Sequence, residues 1–259
     1  MKKHVLATIF LLFFSITFSQ TVTSDSLRGH FTYLLQYKPN TLNKENVYKE
    51  FFSLQISEKR AFFISENNLK FDSVFTQEFK KNSFNIDMRG VPPSKFKFLI
   101  IQTNSNTQFC EAVGMTLLSY NSPVIDKWKL VNETKIINSI NCKKAEVHYK
   151  GRDWTAWYST EIPFPYGPYK FSGLPGLIVK ITDKTGDYDF ELVKSESSLN
   201  LKGKTISVNE ARYQNSKIVT KEELIQAAKN SRENSKYELE KMGTVFSQDQ
   251  TRPDQTENK

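Results

Sequence analysis

The chain is poor in the residues that build catalytic and metal centres. It holds three histidines and two cysteines in 259 residues. His4 sits in the N-terminal leader described below. His30 and His148 are far apart and have no HxxxH, CxxC or CxxH spacing beside them, so no local ligand set for zinc or copper exists. The G-x-S-x-G elbow, the P-loop and the G-x-G-x-x-G fingerprint are all missing, which removes the familiar routes to acyl transfer and nucleotide chemistry. No motif calls for a cofactor or a metal. Arginine stripes are missing too. The formal charge is +8, from 36 basic against 28 acidic residues, but the lysines are scattered, as on a solvated surface. Nucleic acid is therefore not an expected partner.

Long apolar runs are absent after the first residues. Lys2 and Lys3 precede the run VLATIFLLFF at residues 5–14, and small and polar residues follow to Ser19. This is the pattern of a secretory signal over residues 1–19. The run falls short of the roughly 20 residues needed to span a bilayer. No transmembrane segment is expected once the signal is removed. The expected product is exported: periplasmic, outer-membrane-associated or extracellular. Without Lys2 and Lys3 the charge falls to +6, 34 basic against 28 acidic. Both cysteines, Cys110 and Cys142, lie in the exported part. An oxidising compartment favours a bridge between them, worth about 3–4 kcal/mol. The alternative is two buried free thiols, since both lie in strand-like segments.

What remains is rich in short strands. Residues 30–37 read as a strand. Residues 51–56 and 61–65 flank Ser57-Glu58-Lys59-Arg60 as a hairpin. Residues 66–84 carry mixed signals, a short helix or an irregular excursion. Residues 95–102 alternate and then run apolar, and 108–120 read as one strand interrupted at Gly114. Residues 127–131 alternate. The clearest hairpin covers 142–159. A II′ turn at Gly151-Arg152 would set Tyr149 opposite Trp154, Val147 opposite Ala156 and Ala145 opposite Tyr158, all on one apolar face. The other face carries Glu146, His148, Thr155 and Trp157, either towards solvent or lining a pocket. Residues 177–181 and 188–193 form a further hairpin, and 205–208 a candidate strand. Thr220 with Glu223 makes a capping box that opens a helix running to Met242, stopped by Gly243. Residues 247–259 are polar and expected to be disordered. No repeat or domain boundary appears, so residues 20–246 are expected to form one domain. The fold class is mainly β (α+β): a curved antiparallel sheet, an open half-barrel or bowl, with one long C-terminal helix.

The richest stretch is residues 154–178, with two of three tryptophans and four of nine prolines. Pro163, Pro165 and Pro168 fix their own φ angles and hold their predecessors extended. Leu174-Pro175-Gly176-Leu177 fits a type II turn. This loop reads as a rigid corner plugging one end of the sheet. Pairing already places Trp154 and Tyr158 in the core. What is left for ligand binding is Trp157, Glu161, the loop aromatics Phe164, Tyr166 and Tyr169, and His148. Asp153 and Glu161, which flank the aromatic strand, are candidate glycosidase-type carboxylates, and Asp126 precedes Trp128. A weaker reading gives metal handling to His30, His148 and the cysteines.

The hexapeptide Gly173, Leu174, Pro175, Gly176, Leu177, Ile178 resembles the signature of the GLPGLI family of exported Bacteroidetes proteins. Cys142-Lys143-Lys144-Ala145, Gly151-Arg152, Trp154-Thr155-Ala156-Trp157-Tyr158, Glu161-Ile162-Pro163 and Gly167-Pro168 extend the resemblance. It is most specific over residues 140–195. It implies an exported β-rich domain and no particular reaction, cofactor or catalytic residue. A related domain stands at the front of some secreted glycan-processing enzymes as a bowl-shaped accessory module. Family members often neighbour outer-membrane receptor genes. The implied role is a non-enzymatic module of the cell envelope, whose partner is an outer-membrane receptor or envelope protein, or whose ligand is a glycan or an apolar molecule. A glycan-directed hydrolase is the alternative. Cys110 matches no motif of the family.

Overall fold

The computed structural model describes residues 25–39, 45–81 and 87–242. The signal-like leader, Gly243 and the polar tail lie outside these residues. The described strands form one twelve-stranded mixed, open sheet, in the order β12-β6-β5-β4-β3-β2-β1-β11-β10-β9-β8-β7. In chain order they are β1 (Gly29–Tyr37), β2 (Tyr48–Ile56), β3 (Ala61–Ser65), β4 (Phe98–Gln102), β5 (Asn106–Val113), β6 (Thr116–Pro123), β7 (Lys129–Ile137), β8 (Ile140–Tyr149), β9 (Arg152–Ser159), β10 (Leu177–Asp183), β11 (Tyr188–Ser195) and the two-residue β12 (Lys217–Ile218). Helix α1 (Glu66–Lys80) follows β3, the single turn α2 (Ser198–Leu201) follows β11, and α3 (Lys221–Lys241) follows β12. Only β12 pairs in parallel, with β6.

The chain starts in the middle of the sheet, at β1, and lays β2 to β6 outward to one side. It then crosses to the far edge and returns from β7 to β11, which pairs with β1. Residues 124–128 make that crossing. Six Cα steps reach about 21 Å at most. Ten flat inter-strand spacings of about 4.8 Å would need about 48 Å. The sheet therefore has to curl until β6 and β7 approach each other.

The inner face of the curl is the main core. Alternation sends Phe31, Tyr33, Leu35 and Tyr37 of β1 inward, all buried. Residues 160–176 fill the space between the two wings. Phe171 is fully buried, packed on Trp128, Tyr149 and Trp154. From the other wing, Gln102 donates through Nε2 to the carbonyls of Gly167 (3.1 Å) and Tyr169 (2.6 Å). Lys170 is buried against Phe109 and Tyr120, with its ammonium on the Tyr120 hydroxyl. The proline loop is thus the plug expected.

Its exit differs in detail. The type II turn is not formed. Gly176 N–H donates to Leu174 O at 2.8 Å around Pro175, and Leu177 N–H donates to Ile162 O at 3.0 Å. Gly176 is required by proximity: a Cβ there would lie 2.1 Å from Ser159 O. Gly173 is required by conformation, with φ +89°.

Other differences have local causes. Residues 108–120 are two strands, because Gly114 at φ +59° closes a hairpin between β5 and β6. Residues 66–80 are a full helix, capped by Ser65 Oγ, which accepts from Asn67 N–H at 3.2 Å. Residues 205–208 are no strand; Thr205 makes an isolated bridge to Ser26. In the β8–β9 hairpin the turn is Lys150-Gly151, both at positive φ, so Tyr149 faces Arg152 and Val147 faces Trp154. The register is two residues from that expected. A slip of two preserves the face, so Ala145, Val147, Trp154, Ala156 and Tyr158 are still buried together. The Thr220–Glu223 capping box is present.

The outer face has its own smaller core: Phe62, Ile64, Leu99, Ile101, Cys110 and Val208. Residues 196–213 cover it through polar latches. Gln55 exchanges two 2.8 Å hydrogen bonds with Ser207, and Arg212 grips Asp72 of α1 at 2.5 and 2.7 Å. The cysteines belong to different layers: Cys110 to this outer cluster, Cys142 to the inner core. Both are free and buried, so the expected bridge is not formed. Burial pushes the Cys110 thiol up to about 12 and the Cys142 thiol up to about 11.

Candidate binding groove

Alternation along β8 turns Ala145 and Val147 inward and sends Glu146 and His148 to the outer face. Register does the rest. Lys129 of β7 lies opposite Glu146, and Glu146 lies opposite Thr155 of β9. His148 lies opposite Asp153 in the next row. With Lys127 and Lys184 these residues line an open groove of about 470 Å³, which also reaches Val147 and Trp154, whose side chains are buried on the inner face. The frame is firm. Trp154 is buried on the plug residue Phe171 and donates from Nε1 to Tyr149 O at 3.2 Å. Lys184 N–H donates to Asp153 O at 2.8 Å, tying the β10–β11 turn to the hairpin.

The charges are unequally engaged. His148 Nδ1 lies 2.8 Å from Asp153 Oδ1. That hydrogen bond holds the Asp153 carboxyl below the usual range, helped by the charges of His148 and Lys184. Glu146 is paired with Lys144 at 3.2 Å, and Lys144 also binds Glu133 at 3.0 Å. The ammonium groups of Lys127, Lys129 and Lys184 form no hydrogen bond or ion pair among the described residues.

Of the six binding candidates read from the sequence, only His148 lines the groove. Trp157 stands on the same face two residues beyond Thr155, half-buried, with Lys135 Nζ 5.8 Å from its ring centre. Glu161 is exposed and accepts from Asn141 Nδ2 at 2.8 Å. Phe164 packs on Phe31 at 5.9 Å, Tyr166 is buried, and Tyr169 packs on Phe98 and Phe171. The loop aromatics belong to the plug and form no exposed rim. The lysines have no signal in the sequence, because scattered lysines read as a solvated face, whereas Thr155 belongs to the face expected either towards solvent or lining a pocket. Outward alternation is the one signal for Glu146, His148 and Thr155.

The carboxylate pair is also separated. Asp153 is the second residue of β9 and Glu161 lies beyond its end; the six strand steps to Ser159 alone span about 20 Å. Glycosidase carboxylates stand about 5–9.5 Å apart, so this pair cannot serve. For metal handling, His30 and His148 are engaged separately, and no group of three His, Cys, Asp or Glu residues converges among the described residues.

One arrangement escaped sequence reading. His30 Nε2 lies 2.8 Å from Ser53 Oγ, and His30 Nδ1 lies 3.0 Å from Glu196 Oε1. The order is that of a Ser-His-acid triad. Ser53, however, is wholly buried, and its oxygen also accepts from Gln55 Nε2 at 3.3 Å beneath Ser207. No reactant reaches it. The chain of bonds is a strut that fastens the outer cover to β1 and β2.

A family model described as a protein of unknown function (Porph_ging) matches residues 146–180. That span contains Glu146, His148, Asp153 and Thr155 of the groove, the plug, and the 173–178 hexapeptide. No curated protein matches the chain. Among solved structures, PNGF-II in its P21 crystal form is similar at 15% identity and a TM-score of 0.53, over 79% of this chain and 33% of that one. Its C2 form gives 14% identity and 0.47, over 74% of this chain and 30% of that one. An uncharacterized conserved protein from Thermus thermophilus gives 10% identity and 0.34, over 73% of this chain and 89% of that one. The chain thus spans about a third of PNGF-II. The 0.53 match is a likeness of fold.

Proposed function

We propose that this protein is an exported, non-enzymatic binding module of the cell envelope, allied to the GLPGLI proteins of Bacteroidetes, and that it binds through the groove on β7, β8 and β9. One observation carries this reading: the groove is open to solvent yet framed by buried residues and paired strands. Its volume of about 470 Å³ lies within the roughly 300–1,000 Å³ range of small-ligand sites. The signal-like leader supports export. The matched segment, residues 146–180, supports the choice of face, because it contains the end of β8 and all of β9, which carry Glu146, His148, Asp153 and Thr155. Among the described residues, Tyr33, Phe52, Phe63 and Phe171 pack the inner face without exposure. An apolar ligand held inside the curl is therefore set aside. A surface-exposed glycan, or an envelope protein carrying one, suits the groove better.

The test is a binding screen of the purified protein against neutral and acidic polysaccharides, beside a Thr155→Trp variant that fills the groove. Retention of at least one polysaccharide is expected, with at least tenfold weaker binding by the variant. Equal binding by both proteins, or no binding by either, would overturn the reading.

A further inference from the structure

We infer that the groove selects an anionic sugar, one carrying a carboxylate or a sulfate or phosphate ester. This rests on the binding role proposed above and names the ligand class. The argument is one of unspent charge. Five charged side chains and a histidine face the groove. Both carboxylates are already committed, Asp153 to His148 and Glu146 to Lys144, at 2.8 and 3.2 Å. Three ammonium groups, those of Lys127, Lys129 and Lys184, form no hydrogen bond or ion pair among the described residues, although the charge of Lys184 also acts on Asp153. They come from three places in the chain: the crossing segment, the edge strand β7, and the β10–β11 turn.

A neutral ligand gains nothing from that charge, whereas an anion is drawn to it. Lysine suits such a ligand as a point charge that follows one oxygen, without the fixed fork of arginine. The Thr155 hydroxyl offers a neutral hydrogen bond beside the lysines. The three lysines are exposed, so the attraction is screened by salt.

The test uses three defined probes: polygalacturonate for the carboxylate, dextran sulfate for the ester, and unmodified dextran as the neutral reference. Binding is measured by biolayer interferometry at 50 and 500 mM NaCl for the Thr155→Trp variant and three further proteins. These are the parent chain, the triple variant Lys127→Gln, Lys129→Gln, Lys184→Gln, and a control with Lys229→Gln, Lys236→Gln, Lys241→Gln on α3. The parent is expected to bind at least one anionic probe and not dextran. The groove variant should bind it at least tenfold more weakly, and the α3 control should match the parent within twofold. A preference between polygalacturonate and dextran sulfate identifies which anion is read. Equal losses in both triple variants would overturn the inference as mere net-charge attraction. Binding of dextran that the groove triple leaves intact but Thr155→Trp removes would overturn the anion while sparing the binding role. Silence from every probe would overturn the anionic-sugar inference. Matching melting curves for the triples exclude unfolding as the cause.

Discussion

The two faces of the sheet are covered by opposite means. Inside, residues 160–176 wedge prolines and aromatic rings between the wings, with Phe171 packed on Trp128, Tyr149 and Trp154. Outside, residues 196–213 are held by Gln55 to Ser207, Asp72 to Arg212, and His30 between Ser53 and Glu196. The inner cover works by shape, the outer by paired polar groups. Shape tolerates no added atom. Polar pairing tolerates change as long as no buried group is orphaned. The β7–β9 corner of the outer face has neither cover, and the groove lies there.

Substitution can sharpen that contrast. The largest effect is expected at Gly176. An alanine Cβ would stand 2.1 Å from Ser159 O and 3.0 Å from Thr160 Cα, all backbone, with no flexible side chain to yield. Gly176→Ala should cost about 3 kcal/mol or more. Urea unfolding followed by tryptophan fluorescence would show this, and an unchanged midpoint would refute the tight inner fit. Gln55→Leu comes next. It keeps the bulk but orphans Ser207 N–H, so about 1–3 kcal/mol is expected. A loss as large as that of Gly176→Ala would erase the distinction between the covers.

The smallest effect belongs to the thiols, one in each layer. Their folded pKa values lie above the ordinary value of 9.0, at about 12 and about 11, so the folded state resists ionisation. Their contribution is complete below pH 9. It fades as pH rises through 11 for Cys142 and 12 for Cys110. A Cys110→Ala, Cys142→Ala variant should therefore lose less stability than the parent between about pH 9 and 10.5. Ellman's reagent at about pH 8, where a free thiol begins to ionise, should find no reactive thiol in the native protein and two in urea without reductant. None in urea would mean a bridge.

Much of the fold was legible because strands declare themselves by alternation. The β8–β9 hairpin shows both the power and the limit of that signal. Period two fixed which residues are buried, but only the positive φ angles at Lys150 and Gly151 set the register, and a two-residue slip leaves the pattern unchanged. Gly114 was visible as a break, yet a break and a hairpin turn look alike in one sequence. The cover at 196–213 was not legible. It is held by side chains whose partners lie on β1, β2 and α1. The groove was half legible for the same reason. Glu146, His148 and Thr155 come from one hairpin, but Lys184 joins them only once β10 lies beside β9.

The placement of β1 has a consequence for assembly. Strands β2 to β6 can add one after another, each beside its predecessor in the chain. Strand β1 pairs early with β2, but its second edge waits until β11 is made, when Tyr33 meets Leu192. Until then its backbone donors and acceptors on that side face water. A late seam therefore runs through the middle of the finished sheet, and its slow step is a search between distant parts of the chain.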